Sequence, residues 1–305
     1  MKRNIDDLDF TNLLWQSGIL SLDAINNPGI NKLKDFLETP NNKAKCMALD
    51  SNMILYRLID NFIDQYYSTI DTEFPGIIIL PNACQHEFHY KAASSYYKKK
   101  DSIMKLIEND TTLGLLLCRI TNLDIINDRI ERVKDFTGRL GLKGEHEIRK
   151  LQEFESCPVI ISSPGHLYYS QQIQSERNFV DAIFDSLIRI EIGFFKKNTN
   201  ADIIFLTGDK DQKTVAETEG MTCFWIKPPN EWNNILKKDK SYFHLNKISE
   251  LFLELLIFSP FIKVRSGDLE HYYTYTWHDK TPSQDLGGIL KAYNEKDGNY
   301  YLISE

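Results

Sequence analysis

Four consecutive apolar residues, Ile77-Ile78-Ile79-Leu80, stand between Gly76 and Pro81 with no polar residue among them. A β-branched run of this kind suits a strand covered on both faces, which is the environment of a parallel sheet rather than of a solvated antiparallel one. Comparable short runs recur: Cys46-Met47-Ala48-Leu49, Pro158-Val159-Ile160-Ile161, Asp202-Ile203-Ile204-Phe205-Leu206-Thr207 and Thr222-Cys223-Phe224-Trp225-Ile226, the last closed by Pro228-Pro229. Between them lie segments with helical spacing, over about 52–67, 82–107 and Asn178 to Phe195. Strands alternating with helices predict an α/β fold, a parallel sheet of about five strands joined by right-handed crossovers.

The remainder of the chain departs from that alternation. Residues 1–45 read as an N-terminal helical arm interrupted by the turn Asn26-Asn27-Pro28-Gly29, and 46–228 as the α/β domain. Within it, 108–156 carries densely mixed charge, as in Asp128-Arg129-Ile130-Glu131-Arg132-Val133-Lys134-Asp135, the signature of solvated helical faces, and is read as an α-helical insertion. Residues 229–305 form a C-terminal α+β extension. It holds a helix over Leu245 to Ser259 and a hairpin turning at Asp297-Gly298 between 289–293 and 300–303.

No apolar run reaches the length of a membrane span, and the N-terminus lacks the apolar core of a signal peptide. Five scattered cysteines, Cys46, Cys84, Cys118, Cys157 and Cys223, form no Cys-x-x-Cys pair. Both features predict a chain of the reducing cytoplasm, without a membrane and without a zinc module. The net charge of −7 gives nucleic-acid binding no support, but carboxylates clustered around a metal would themselves push the total negative.

Such carboxylates are present. Asp50 and Asp209 each follow a predicted strand directly, so a parallel sheet sets both at its carboxyl edge, where open α/β folds bind ligands. Glu87 falls in the second turn of the helix after the second strand, which starts at that edge, on a stripe with Cys84, Phe88 and Lys91. Asp181 opens the helix after the third strand, at the rim of an apolar arc formed by Val180, Ile183, Phe184, Leu187 and Ile188. Asp185 is rotated about 40° further towards the polar side, which makes Asp181 the preferred inward acid and Asp185 its reserve. Asp211, two residues after Asp209, is the auxiliary acid.

Each acid alone also has an ordinary structural reading. Asp50 would cap a helix, Glu87 would pair with Lys91 at i, i+4, Asp181 would complement a helix dipole, and Asp209 would serve turn chemistry. Together they are costly, since two carboxylates about 5 Å apart repel by about 3 kcal/mol at an effective dielectric near 20. A hard divalent cation, Mg²⁺ or Mn²⁺, relieves that repulsion and brings a water that can act as nucleophile.

The ordered set resembles the PIN-domain nucleases over 45–227. Asp50-Ser51-Asn52 resembles that family's strand-terminal Asp-Thr-Asn, Glu87 its helical glutamate, Asp181-Ala182-Ile183-Phe184 its Asp-Ala-apolar-apolar helix start, and Thr207-Gly208-Asp209-Lys210-Asp211 its Thr-Asp strand end. The resemblance implies a Mg²⁺- or Mn²⁺-dependent endoribonuclease with Asp50, Glu87, Asp181 and Asp209 as catalytic metal ligands and Asp211 auxiliary. Asn52 and Thr207 would orient carboxylate, water or phosphate. It further implies single-stranded or structured RNA as substrate and, in toxin–antitoxin members, an inhibitory protein partner; a homo-oligomer is compatible with it. The insertion, the arm and the extension make this chain longer than the compact toxins of the family.

Two rivals are compatible with parts of the pattern. A haloacid-dehalogenase-like phosphatase also starts from a strand-terminal Asp, but needs a second Asp where this chain has Asn52. A PIN-like scaffold that binds RNA or protein without cleaving it has no need of all four acids. His86-Glu87-Phe88-His89 is one residue short of a zinc-protease helix. Lys98-Lys99-Lys100, Lys196-Lys197 and Lys237-Lys238 are consistent with phosphate tracking or with plain solvation, and Tyr272, Tyr273, Tyr275 and Trp277 with base stacking or a small β core.

Overall fold

The computed structural model describes residues 13–22, 27–67, 74–94, 136–153, 158–162, 180–227, 247–248, 250–251, 254–255, 261–266, 269–275, 290–294 and 299–302. In chain order the elements are α1 (Pro28–Glu38), β1 (Ala44–Leu49), α2 (Ser51–Leu55), α3 (Leu58–Tyr66), β2 (Ile77–Pro81), α4 (Asn82–Ser94), α5 (Phe136–Gln152) and β3 (Val159–Ser162). There follow α6 (Val180–Asn198), β4 (Ala201–Thr207), α7 (Lys210–Thr218), β5 (Thr222–Trp225), β6 (Phe261–Ser266), β7 (Leu269–Tyr275), β8 (Leu290–Asn294) and β9 (Asn299–Leu302). Two compact units result, one drawn from 6–87 and 147–247, the other from 88–146 and 248–305.

The first unit holds a five-stranded, all-parallel sheet in the order β3-β2-β1-β4-β5, flanked by helices. Its central strand explains itself: Cys46, Met47, Ala48 and Leu49 are all at most 2% exposed, and Met47 is in register with Ile78 on one side and Ile204 on the other. Strands covered on both faces have no use for alternating polar residues, hence the continuous apolar runs of the sequence. From β1 the chain moves outward through β2 to β3, then returns to β4 on the opposite side of β1. The point where that order reverses leaves a crevice between the carboxyl ends of β1 and β4.

Several local readings of the sequence need correction. The single helix predicted over about 52–67 is two, broken at Arg57, which adopts the left-handed conformation at φ 53° and ψ 36°. A non-glycine residue pays about 1–2 kcal/mol for this geometry. Buried ion pairs hold it there, from the Arg57 guanidinium to Asp60 and to Glu147, each at 3.5 Å. The predicted turn at Asn26-Asn27-Pro28-Gly29 instead opens α1. Asn27 is the N-cap, accepting from the Gly29 N–H at 2.9 Å, and Pro28 takes the first helical position, where its missing N–H costs nothing. The stripe Ile30, Leu33 and Leu37 is buried beneath it. The helix predicted over 82–107 is described to Ser94 and that over 178–195 runs from Val180 to Asn198. Of the 108–156 insertion, the part before Phe136 lies outside the described residues, as do Lys98-Lys99-Lys100, Lys237-Lys238 and Trp277.

In the second unit Gly144 of α5 faces the ring of Phe88, and Lys143 forms a buried ion pair with Glu254 at 2.5 Å. Strands β6 to β9 form an antiparallel sheet in sequential order, with β8 and β9 paired through Lys291↔Leu302 to Asn294↔Asn299. Among the described residues no helix is long and apolar enough to cross a membrane.

Candidate active site

The crevice between β1 and β4 is built around Asp50. Its backbone N–H still belongs to the sheet, donating to the Leu206 carbonyl at 3.0 Å, while its side chain already caps α2 by accepting from the Ser51 N–H at 2.8 Å. The capping expectation therefore holds, and it holds for a carboxylate that stands at the carboxyl edge of the sheet. Its other oxygen, Oδ2, accepts from the Thr207 hydroxyl at 2.6 Å and from the Asn52 amide at 2.8 Å. The Asn52 amide oxygen in turn accepts from the Gly208 N–H at 2.8 Å, and the Thr207 hydroxyl oxygen from the Asp209 N–H at 3.0 Å. Both residues expected to orient the site lace the end of β1 to the end of β4.

Gly208 is constrained by contact rather than by its backbone angle. A Cβ there would lie 3.0 Å from the Met53 methyl and from Cε2 of Tyr56, and 3.3 Å from the Asn52 amide oxygen. The loop is fixed from above by Trp225, whose indole N–H donates to the Gly208 carbonyl at 3.0 Å.

Burial makes Asp50, at 3% exposure, an uncomfortable anion. Desolvation pushes its carboxyl up to about 7, the bonds from Thr207 and the Ser51 N–H pull it down, and the charges of Asp185 and Glu87 push it up again. Glu87 is buried in the second turn of α4, its neighbours Cys84 and Phe88 wholly so, and it accepts a hydrogen bond from the Ser51 hydroxyl. Asp185 is half-buried on α6; desolvation raises its carboxyl, with Glu87 and Asp209 adding to the rise and Gln212 and Arg189 opposing it. Asp209 is exposed and caps α7, accepting from the N–H groups of Asp211 at 2.7 Å and Gln212 at 3.3 Å. Asp211 is exposed in the first turn of α7 and is not among the charges that move Asp50 or Asp185.

Four acids from four elements thus act on one another: Asp50, Glu87, Asp185 and Asp209. Among the described residues the α6 acid in this group is Asp185, the one the sequence held in reserve. Asp181 lies in the first turn of α6, and its side chain is outside the described residues.

Sequence reasoning passed over three further groups. Glu191, at 1% exposure, reaches from α6 to the start of α4, where its carboxylate accepts from the Ala83 N–H at 3.4 Å. Its signal was an acid at helical spacing within the apolar series Phe184, Ile188 and Ile192. The Ser51 hydroxyl couples Glu87 to the α2 start. The Tyr56 phenol is held up by burial, then by the charges of Asp50 and Asp209.

The donor set of this edge is made of hard oxygens, and the leading influences that lower Asp50 are hydrogen bonds rather than cations. That chemistry fits a hard divalent ion, for which Asp50, Glu87, Asp209 and the α6 acid would supply the ligands. Among the described residues no three Asp, Glu, His or Cys side chains are already drawn in around a common centre. A separate groove of about 360 Å³ opens at the amino end of β1 and β4, lined by residues including Lys32, Phe36, Lys45, Asp202 and Phe224. Its charges are locally matched, with Lys43 3.8 Å from Asp202 and Lys45 donating to the Leu37 carbonyl, so it offers no comparable electrostatic demand.

Comparison with protein-family models and with curated proteins returned no match to this chain.

Proposed function

We propose that this chain is a PIN-like, metal-dependent nuclease that cleaves phosphodiester bonds in single-stranded or structured RNA. One observation carries the proposal: a buried aspartate at the point of strand-order reversal has its carboxyl raised to about 7 by burial and by two further acids. Above neutral pH the like charges of such an arrangement cost the fold stability, and perturbed carboxyls of this kind cluster at sites of chemistry.

Asp50, Glu87, Asp209 and Asp185 or Asp181 would hold Mg²⁺ or Mn²⁺, which when bound supplies an activated water and stabilises charge on phosphate. The protein's own residues do the rest. Thr207 and Asn52 fix the Asp50 carboxylate by two hydrogen bonds to one oxygen, leaving its orientation independent of solvent. Trp225 and the missing Gly208 side chain hold the loop that carries Asp209. The Asn52 side chain is wholly engaged between Asp50 and Gly208, which speaks against the phosphatase reading, where that position must move a proton.

The test is cleavage of single-stranded RNA with Mn²⁺, with and without chelator, by the wild type and Asp50→Asn. Metal-dependent cleavage lost in Asp50→Asn supports the proposal. Cleavage that survives either the chelator or the substitution sinks it, and release of phosphate from monoesters without RNA cleavage favours the phosphatase.

A further inference from the structure

A nuclease site built from carboxylates has a second problem besides holding a cation: its substrate is itself an anion. Neutral donors must face the phosphate, and among the described residues the acids leave few. Ser51, Asn52 and Thr207 are all committed to Glu87, Asp50 or the Gly208 loop.

Tyr56 is placed differently. It ends α2, immediately before the left-handed Arg57 that turns the chain away. Its ring lies against Trp15, centroids 5.1 Å apart and tilted by 50°, and its Cε2 edge lies beside Gly208, where a Cβ would sit 3.0 Å away. Cε2 adjoins the carbon that bears the hydroxyl, so the phenolic end of the ring is directed to the loop between Thr207 and Asp209. Consistent with this placement, Asp50 and Asp209 are the two charges that act on the phenol. Among the described residues the hydroxyl makes no hydrogen bond, in contrast to the side chains of Ser51, Asn52 and Thr207 at the same edge.

We propose that the Tyr56 hydroxyl donates a hydrogen bond to a non-bridging oxygen of the scissile phosphate, making Tyr56 a substrate-contacting catalytic residue. The inference rests on the nuclease reading and deepens it. A phenol suits the position because it donates without adding charge, and because its rigid ring needs little ordering once Trp15 and Gly208 fix it. The three supports have separate origins in the chain: Trp15 in the arm, Gly208 after β4, and the Arg57 turn held by Asp60 and Glu147.

The experiment compares wild type, Tyr56→Phe and Asp50→Asn in single-turnover cleavage of RNA with Mn²⁺, using an all-oxygen phosphate and each phosphorothioate diastereomer at the scissile position. Tyr56→Phe keeps the ring and its Trp15 contact, and should slow cleavage about 100–1,000-fold, as expected for loss of one donor to a reacting phosphate. Sulfur in place of the contacted oxygen should slow the wild type for one diastereomer, and that ratio should shrink towards one in Tyr56→Phe. Because the ratio is taken within each protein, a smaller folded fraction cancels from it. Wild-type rates in Tyr56→Phe, or identical sulfur effects in both proteins, overturn the donor role and leave the nuclease reading standing. Absence of cleavage by the wild type overturns the nuclease reading and the donor role with it, whereas cleavage absent only in Asp50→Asn confirms the site independently of Tyr56.

Discussion

The Thr207 hydroxyl donates to the Asp50 carboxylate at 2.6 Å and accepts from the Asp209 N–H at 3.0 Å. One side chain at 0% exposure therefore joins the acid after β1 to the acid after β4. Replacing it with valine keeps the shape and removes both bonds, which should cost about 1–3 kcal/mol because a buried carboxylate and an N–H lose a partner. Thr207→Val should lower the urea midpoint, and Thr207→Ser should restore most of it. Thr207→Val should also weaken Mn²⁺ binding near neutral pH, since the bond from Thr207 is the larger of the two that lower the Asp50 carboxyl. Equal midpoints for Thr207→Val and wild type would show that the bond contributes nothing.

Asp50 itself should be a liability to the metal-free fold. Its carboxyl is raised from 3.8 to about 7, so the folded chain holds the proton more tightly than the unfolded chain does. The resulting stability is complete below about pH 4 and lost as pH rises through about 7. Asp50→Asn removes the charge, so at pH 8 without metal the variant should melt higher than wild type by about 2–8 °C, corresponding to about 1–2 kcal/mol. The gap should narrow as pH falls from 8 to 5, where the wild-type carboxyl becomes protonated. A variant that melts lower than wild type at pH 8 contradicts the electrostatic account of the site.

Asp185 and Asp181 can be separated by metal titration. Asp185 raises the Asp50 carboxyl and responds to Glu87 and Asp209, so it already belongs to the anionic group. Asp185→Asn should reduce the Mn²⁺-induced rise in melting temperature by half or more, while raising the metal-free melting temperature at pH 8. Asp181→Asn provides the comparison. If Mn²⁺ stabilises Asp185→Asn as strongly as wild type, and Asp181→Asn much less, the α6 ligand is the residue in its first turn.

The difference between these two acids shows where sequence reading stops. All five strands of the parallel sheet were legible, because burial on both faces forces continuous apolar runs such as Ile77 to Leu80. The edge positions of Asp50 and Asp209 then followed from strand direction alone. A helical wheel, however, gives only the angle of a residue around its axis. Asp181 and Asp185 differ by about 40° in angle but by about 6 Å along the axis. How far α6 slides past the end of β1 decides which of them meets Asp50, and no local pattern encodes that. Arg57 was hidden for a related reason: its left-handed turn is sustained by Glu147 on α5, far away in the chain. Asn27-Pro28 was ambiguous by itself, since the pair serves a turn and a helix start equally well. The buried spacing of Ile30, Leu33 and Leu37 settles it as a start. Glu191 was legible and overlooked, an acid set inside an apolar arc.

Gly144 offers a stability test away from the proposed chemistry. In an exposed helix, replacing glycine by alanine stabilises by about 1 kcal/mol, since glycine carries the larger entropy cost. Here a Cβ would fall 2.3 Å from the Cγ and Cδ1 atoms of Phe88, a ring at 0% exposure that has little room to yield. Overpacking should reverse the sign, so Gly144→Ala should destabilise by about 1–3 kcal/mol. Phe88→Leu alone should also destabilise, by opening a gap. If the two residues meet as described, the double variant should be more stable than the sum of the single costs by at least about 0.5 kcal/mol. Additive melting shifts would place the ring elsewhere.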